Sequence, residues 1–159
     1  MSHVLFSYGA RSFSILDDRG RRVYDSGDDF EQITAAALPD NFNASNDKNT
    51  FDNRSDNKGP EPEGVVVGKV DGRHYAFIGL ERVGGIMVYD VTKPRNPKFV
   101  EYYNNRDFTQ DVELPEAGDL GPEGMAFIAA KDSPNGTPLL VMANEVSGTT
   151  TIYEISLNQ

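Results

Sequence analysis

The chain has no cysteine, only two histidines, and far fewer basic than acidic side chains. Without cysteine, disulfides, thiolate nucleophiles and zinc–thiolate sites are excluded. His3 and His74 alone leave little material for a multi-histidine metal site or a histidine-dependent triad. Fifteen Lys and Arg against 25 Asp and Glu give a formal charge of −10. That balance argues against nucleic acid as a partner, because such binding rests on neutralising phosphates. It argues equally against an anionic membrane surface. No run of about 18 apolar residues occurs, so nothing in the sequence inserts into a membrane as a helix. The opening Met1-Ser2-His3-Val4 lacks a basic stretch followed by an apolar one, so no signal peptide is expected within this chain.

The 159 residues suit one domain, spanning 1–159. Hydrophobic side chains make up 38%, with nine Phe and seven Tyr, enough for a packed core, while 15 Gly and nine Pro fit a fold with many turns. Short alternating runs at 4–8, 11–16 and 21–25 read as strands. Residues 30–38 form the one helical candidate, with Asp28 or Asp29 before it and Pro39 after it. Residues 40–63 are polar and long for a loop in a compact domain, as are residues 104–121, which extend to 123 with the motif that follows. Between these loops lie four strand candidates, at 64–70, 74–80, 86–91 and 99–103. After them come three more, at 125–130, 139–144 and 149–155.

Internal repetition decides the architecture. Pro62-Glu63-Gly64-Val65 recurs sixty residues on as Pro122-Glu123-Gly124-Met125. Glu81 recurs as Glu145, and Tyr89-Asp90-Val91 as Tyr153-Glu154-Ile155. Asn53-Arg54 precedes the first motif and Asn105-Arg106 the second. All-strand repeats of this size read as β-propeller blades. The expected fold is therefore all-β: a fragment of about three antiparallel blades at 4–25, 64–103 and 124–155, with one short helix and polar loops at 40–63 and 104–123. A closed ring needs about four to eight blades. Three blades leave terminal faces open, so the expected partner is a second copy or the remainder of a larger propeller.

The acidic residues gather around the repeated motifs. Asp52, Asp56, Glu61, Glu63, Asp119 and Glu123 are candidate metal ligands, with Ca²⁺ as the candidate cofactor, since this hard cation takes six to eight oxygens. Glu63 and Glu123 stand where the innermost strands begin. A structural reading of the same residues has Glu63 and Glu123 accepting from Arg54, Arg106 or Arg82, fastening each loop to its blade. A third reading uses Arg11, Arg54, Arg82 and Arg106 to hold an anion, with Glu81 and Glu145 as ion-pair residues. Phosphoester hydrolysis would also need a nucleophile or a metal-activated water. Ser12, Ser14 and Ser55 are available, yet no base stands beside them in the sequence. Binding is therefore expected rather than catalysis from this chain alone. Asn43-Ala44-Ser45, Asn53-Arg54-Ser55 and Asn135-Gly136-Thr137 fit the N-glycosylation pattern.

Longer motifs add a resemblance. Gly9-Ala10-Arg11-Ser12-Phe13-Ser14-Ile15, Asp25-Ser26-Gly27-Asp28, Asp52-Asn53-Arg54-Ser55-Asp56, Gly59-Pro60-Glu61-Pro62-Glu63-Gly64 and Gly79-Leu80-Glu81-Arg82 form an ordered set. Asn104-Asn105-Arg106-Asp107-Phe108, Gly118 to Gly124 and Ala143-Asn144-Glu145-Val146-Ser147-Gly148-Thr149 continue it. The set resembles the C-terminal part of the choice-of-anchor I family. That resemblance implies an extracellular or cell-surface β-propeller protein, of which this chain would be the last two and a half to three blades. It also brings in a second functional class, an alkaline phosphatase-like, metal-dependent phosphoesterase.

Overall fold

The computed structural model describes Gly9 and residues 11–157. They form three antiparallel sheets and one α-helix. The first sheet pairs β1 (Ser14–Leu16) with β2 (Arg22–Asp25). The helix α1 (Asp29–Ala37) follows. The second sheet is a four-stranded meander of β3 (Pro62–Val70), β4 (Arg73–Leu80), β5 (Ile86–Asp90) and β6 (Lys98–Tyr103). The third is a three-stranded meander of β7 (Pro122–Ile128), β8 (Leu139–Asn144) and β9 (Thr149–Glu154). The strand expected at 4–8 lies outside the described residues. The sheets do not close into a barrel.

Local chemistry accounts for these elements. β3 and β4 are joined by Asp71 and Gly72, whose φ values of 47° and 82° match the two positive angles of a type I′ hairpin. α1 carries Asp29 and Glu31 in its first turn, where carboxylates meet the positive end of the helix dipole. It ends at Leu38, next to Pro39, because the residue before a proline is pushed out of the helical region. Phe30 and Thr34, four residues apart, form its buried stripe.

Each face of the four-stranded sheet carries a buried cluster, while Val65 and Val67 on its edge strand β3 stay exposed. Ala76, Ile78, Leu80, Met87 and Tyr89 face Phe30 of α1, with Phe13 and Ile33 packed alongside. The Tyr89 hydroxyl donates to Asp29 Oδ2 at 3.2 Å and so ties β5 to the helix. On the other face Tyr75, Phe77 and Ile86 meet Leu140 and Met142 of the third sheet. The close pass between the two large sheets is made by β3 and β7. A Cβ on Gly64 would lie 2.2 Å from the Glu123 carbonyl oxygen, and one on Gly68 would lie 2.3 Å from the Phe127 ring. Both glycines therefore set the distance at which β7 can pack. Phe77 and Phe127 stack there at 6.1 Å between centroids.

The repeat alignment read from the sequence is borne out in the backbone. Pro62 pairs with Leu80 and Pro122 with Asn144, each followed by an irregularity in register. Glu81 N–H donates to the Glu61 carbonyl, and Glu145 N–H donates to the Gly121 carbonyl, both at 2.8 Å.

Candidate carboxylate site

Of residues 40–63, which composition alone marks as functional or disordered, 40–61 form an ordered loop held by arginines and Pro62 and Glu63 already belong to β3. Arg11 Nη1 donates to Glu31 Oε1 at 2.6 Å, and its Nη2 donates to the Ser55 and Asn57 carbonyls. Arg54 Nε donates to Ser45 Oγ at 3.2 Å. Arg106 is buried and reaches across from the second long loop. It donates to the carbonyls of Arg82, Val83, Ser45 and Lys48 and to Asn49 Oδ1, and its guanidinium lies 4.3 Å from the centroid of the Phe108 ring. Burial lowers the pKa of this guanidinium to about 10.

The expected fastening of Glu63 and Glu123 by these arginines is therefore corrected. Arg54 is bonded to a serine hydroxyl, and Arg106 to carbonyl and amide oxygens of the loop it crosses. The reason lies in the path of the loops. Both arginines stand against residues 45–49, so they meet that segment's oxygens rather than Glu63 or Glu123. The third arginine, Arg82, does pair with carboxylates, but with Glu61 and Glu81.

Those pairs belong to a cluster at the top of the four-stranded sheet. Glu61 ends the loop with a left-handed φ of 53°, Glu63 lies on β3, and Glu81 follows β4. One carboxylate oxygen from each lies within 4.8 Å of the others. Glu81 is buried, Glu61 is half-buried and Glu63 is exposed. Arg82 donates through Nε to Glu61, through Nη1 to Asn46 Oδ1 at 3.1 Å, and its Nη2 stands 3.0 Å from Glu81 Oε1. Asn46 Nδ2 donates to the same Glu81 oxygen at 3.2 Å, and Lys58 forms an ion pair with Glu61.

Charge crowding sets the protonation of this group. Burial, with hydrogen bonds to Glu63 and Glu61, raises the Glu81 pKa to about 8. Burial also acts to raise Glu61, but bonds to Lys58, Glu81 and Arg82 prevail and hold it below the usual carboxylate range. Near neutral pH the cluster thus holds a proton on Glu81, shared with its neighbours.

The other expected ligands lie elsewhere. Asp52 is exposed with φ 58° and accepts from Ser55 Oγ; Asp56 is also exposed. Asp119 is buried and accepts from Asn105, Thr149, Thr151 and Tyr153. Four donors fill the acceptor sites of one carboxylate. Burial works to raise its pKa, but these donors hold it below the usual range. Glu123 and Glu145 are exposed beside a shallow depression at the end of the third sheet. They are the repeat equivalents of Glu63 and Glu81, but Gly121 and Val146 stand where Glu61 and Arg82 would be, so the cluster occurs once among the described residues. Ser14 Oγ donates to Asp25 at 2.5 Å, and His74 is exposed on β4. Of the glycosylation triplets, Asn43 is buried and donates to Glu31 and Ser55, whereas Asn53 and Asn135 are exposed. Sequence reasoning missed Asn46 and Lys58; Lys58, three residues before Glu61, was the available signal.

The family model for the choice-of-anchor I domain matches residues 2–94, and the chain belongs to that family. It is 33% identical over 163 residues to Gigasin-3a of Magallana gigas, covering 95% of this chain and 57% of that protein. It is 34% identical over 78 residues to the Mesenchyme-specific cell surface glycoprotein of Strongylocentrotus purpuratus, covering 43% of this chain and 10% of that protein. The chain thus spans little more than half of one relative and a tenth of the other. No solved structure matches it. Among the described residues no helix is long and apolar enough to cross a membrane.

Proposed function

We propose that the chain is a non-catalytic β-propeller module of an extracellular or cell-surface protein, and that it takes up Ca²⁺ at Glu61, Glu63 and Glu81. The module reading is supported by the two successive meanders packed through β3 and β7, and by the cell-surface relative. The observation that carries the Ca²⁺ reading is the convergence of three carboxylates within 4.8 Å of one another. A divalent cation relieves that crowding and displaces the proton that the raised Glu81 pKa favours. Lys58, whose side chain is 35% exposed, is free to swing away when the cation enters, while Arg82 stays anchored on Asn46. Three carboxylates and water make a partial ligand set, since the Asn46 amide oxygen is taken by Arg82. The expected dissociation constant is therefore about 10⁻⁴–10⁻³ M, the range of extracellular Ca²⁺ modules.

Asp52, Asp56, Asp119 and Glu123 have no part in this site. Calorimetric titration with CaCl₂ tests it: saturable heat is expected for the parent protein and its loss for Glu81→Gln. Equal heats for the two proteins would remove the site. A phosphomonoester assay on the metal-loaded protein tests the phosphoesterase alternative, and turnover there would overturn the non-catalytic reading.

A further inference from the structure

The junction between the two large sheets has two unlike halves. One is the β3 face carrying Gly64, Val66 and Gly68; the other is the β7 face carrying Met125 and Phe127. Strands alternate their faces, and the repeat places Val65 and Val67 where Met125 and Phe127 stand sixty residues on. The opposite face of β3 therefore presents Val65 and Val67 as a second copy of the β7 half, and both are exposed, at 61% and 55%. In the same way the opposite face of β7 presents Gly124 and Ala126 as a second copy of the Gly64 half. Ile152 of β9 extends that face and is 62% exposed. Gly124 keeps the space that Gly64 uses: among the described residues the sole neighbour within 4 Å of a Cβ there would be Ala143 Cβ at 3.6 Å.

We infer that these two open halves bind each other between copies of the chain, head to tail. Val65 and Val67 of one copy pack on Gly124, Ala126 and Ile152 of the next, matching the internal junction at its Gly64 end; at the other end Ile128 stands for Gly68 and the smaller Val67 for Phe127. The inference rests on reading the two large sheets as successive blades and is independent of the carboxylate site. An interface of unlike surfaces propagates into rings or open chains unless it is blocked.

Light scattering on Val67→Glu, Ala126→Glu and their mixture tests this. Both positions are exposed, and circular dichroism checks that each variant keeps its strands. The parent is expected well above its 17.5 kDa monomer mass at tens of micromolar. Each variant alone is expected at the monomer mass. The equimolar mixture is expected at twice that mass, since one intact half survives on each variant and a single junction forms. A monomeric parent, variants that associate like the parent, or a mixture that stays monomeric would each overturn it. If blade packing itself were misread, Gly68→Leu would leave thermal stability unchanged, which separates that failure from a failure of docking.

Discussion

Replacing Arg106 with leucine exposes how much the two long loops depend on one buried charge. The guanidinium donates to five oxygens on two segments, residues 45–49 and 82–83, and its nearest are the Ser45 carbonyl at 2.8 Å and Asn49 Oδ1 at 2.9 Å. Leucine fills much of the volume but returns none of these bonds. Each buried acceptor left without a donor costs about 1–3 kcal/mol. The carbonyls compete for one side chain and part of the loop can relax, so these costs do not add in full. The expected loss is about 3–5 kcal/mol, a partial sum of those penalties over five acceptors. For a domain of this size about 2–4 °C of Tm accompanies each kcal/mol, so melting should fall by roughly 6 °C or more. Urea titration read by circular dichroism gives the magnitude, and limited proteolysis should show new cuts within residues 40–63. As a control, Lys131→Ala breaks a pair with Asp132 whose side chains are 84% and 62% exposed, and should cost under about 1 kcal/mol. A loss below about 1 kcal/mol for Arg106→Leu, with the loop still uncut, would refute the clamp.

Three further outcomes follow from the geometry. Gly68→Ala drives a methyl into the Phe127 ring and should destabilise by about 1–3 kcal/mol, whereas Gly124→Ala meets only ordinary contact within the chain and should leave the melting temperature of the monomer nearly unchanged. Glu81 is raised from 4.5 to about 8 in the folded protein. Between those values the folded state binds more protons than the unfolded one, so this group's contribution is full below pH 4.5 and is lost as pH rises toward 8. In metal-free buffer Glu81→Gln should flatten that slope in thermal melts across pH 5–8, and an unchanged slope would count against the shared proton. Asp119 behaves oppositely: its folded pKa lies below 3.8, so its contribution holds above that value and is lost as pH falls through the lowered folded pKa. Asp119→Asn should remove this acid sensitivity in urea titrations at low pH.

Most of the strand order was legible because the repeats and the turn residues agree. Pro-Glu-Gly opens β3 and β7, Asp71-Gly72 turns the first hairpin of the large sheet, and Asp28 or Asp29 with Pro39 brackets the helix. The loops were not legible. Their composition says only that they lack apolar side chains, while their order comes from arginines whose partners are backbone carbonyls, a pairing that leaves no trace in the sequence. For the same reason Arg54 and Arg106 were assigned to glutamates by proximity of motif, when their bonds go to the loop itself. Within the candidate site, Glu61 and Glu63 were read as ligands and Glu81 as an ion-pair residue. The structure joins all three because the β3–β4 hairpin returns the chain to its own start, setting Glu81 N–H on the Glu61 carbonyl. Asp119 looked like a ligand from its type alone, but the hydroxyls of β9 and Tyr153 already occupy it.

Proton release on Ca²⁺ binding tests the central claim most directly. At pH 7 Glu81, with a pKa of about 8, is mostly protonated in the metal-free protein. Ca²⁺ requires the ionised carboxylate, so binding at this cluster releases about one proton per ion. Calorimetry in two buffers of different ionisation enthalpy counts that proton. The account predicts a buffer-dependent heat equivalent to nearly one proton at pH 7, shrinking toward zero by pH 9. Binding with no proton release at pH 7, or no binding at millimolar Ca²⁺, would contradict it.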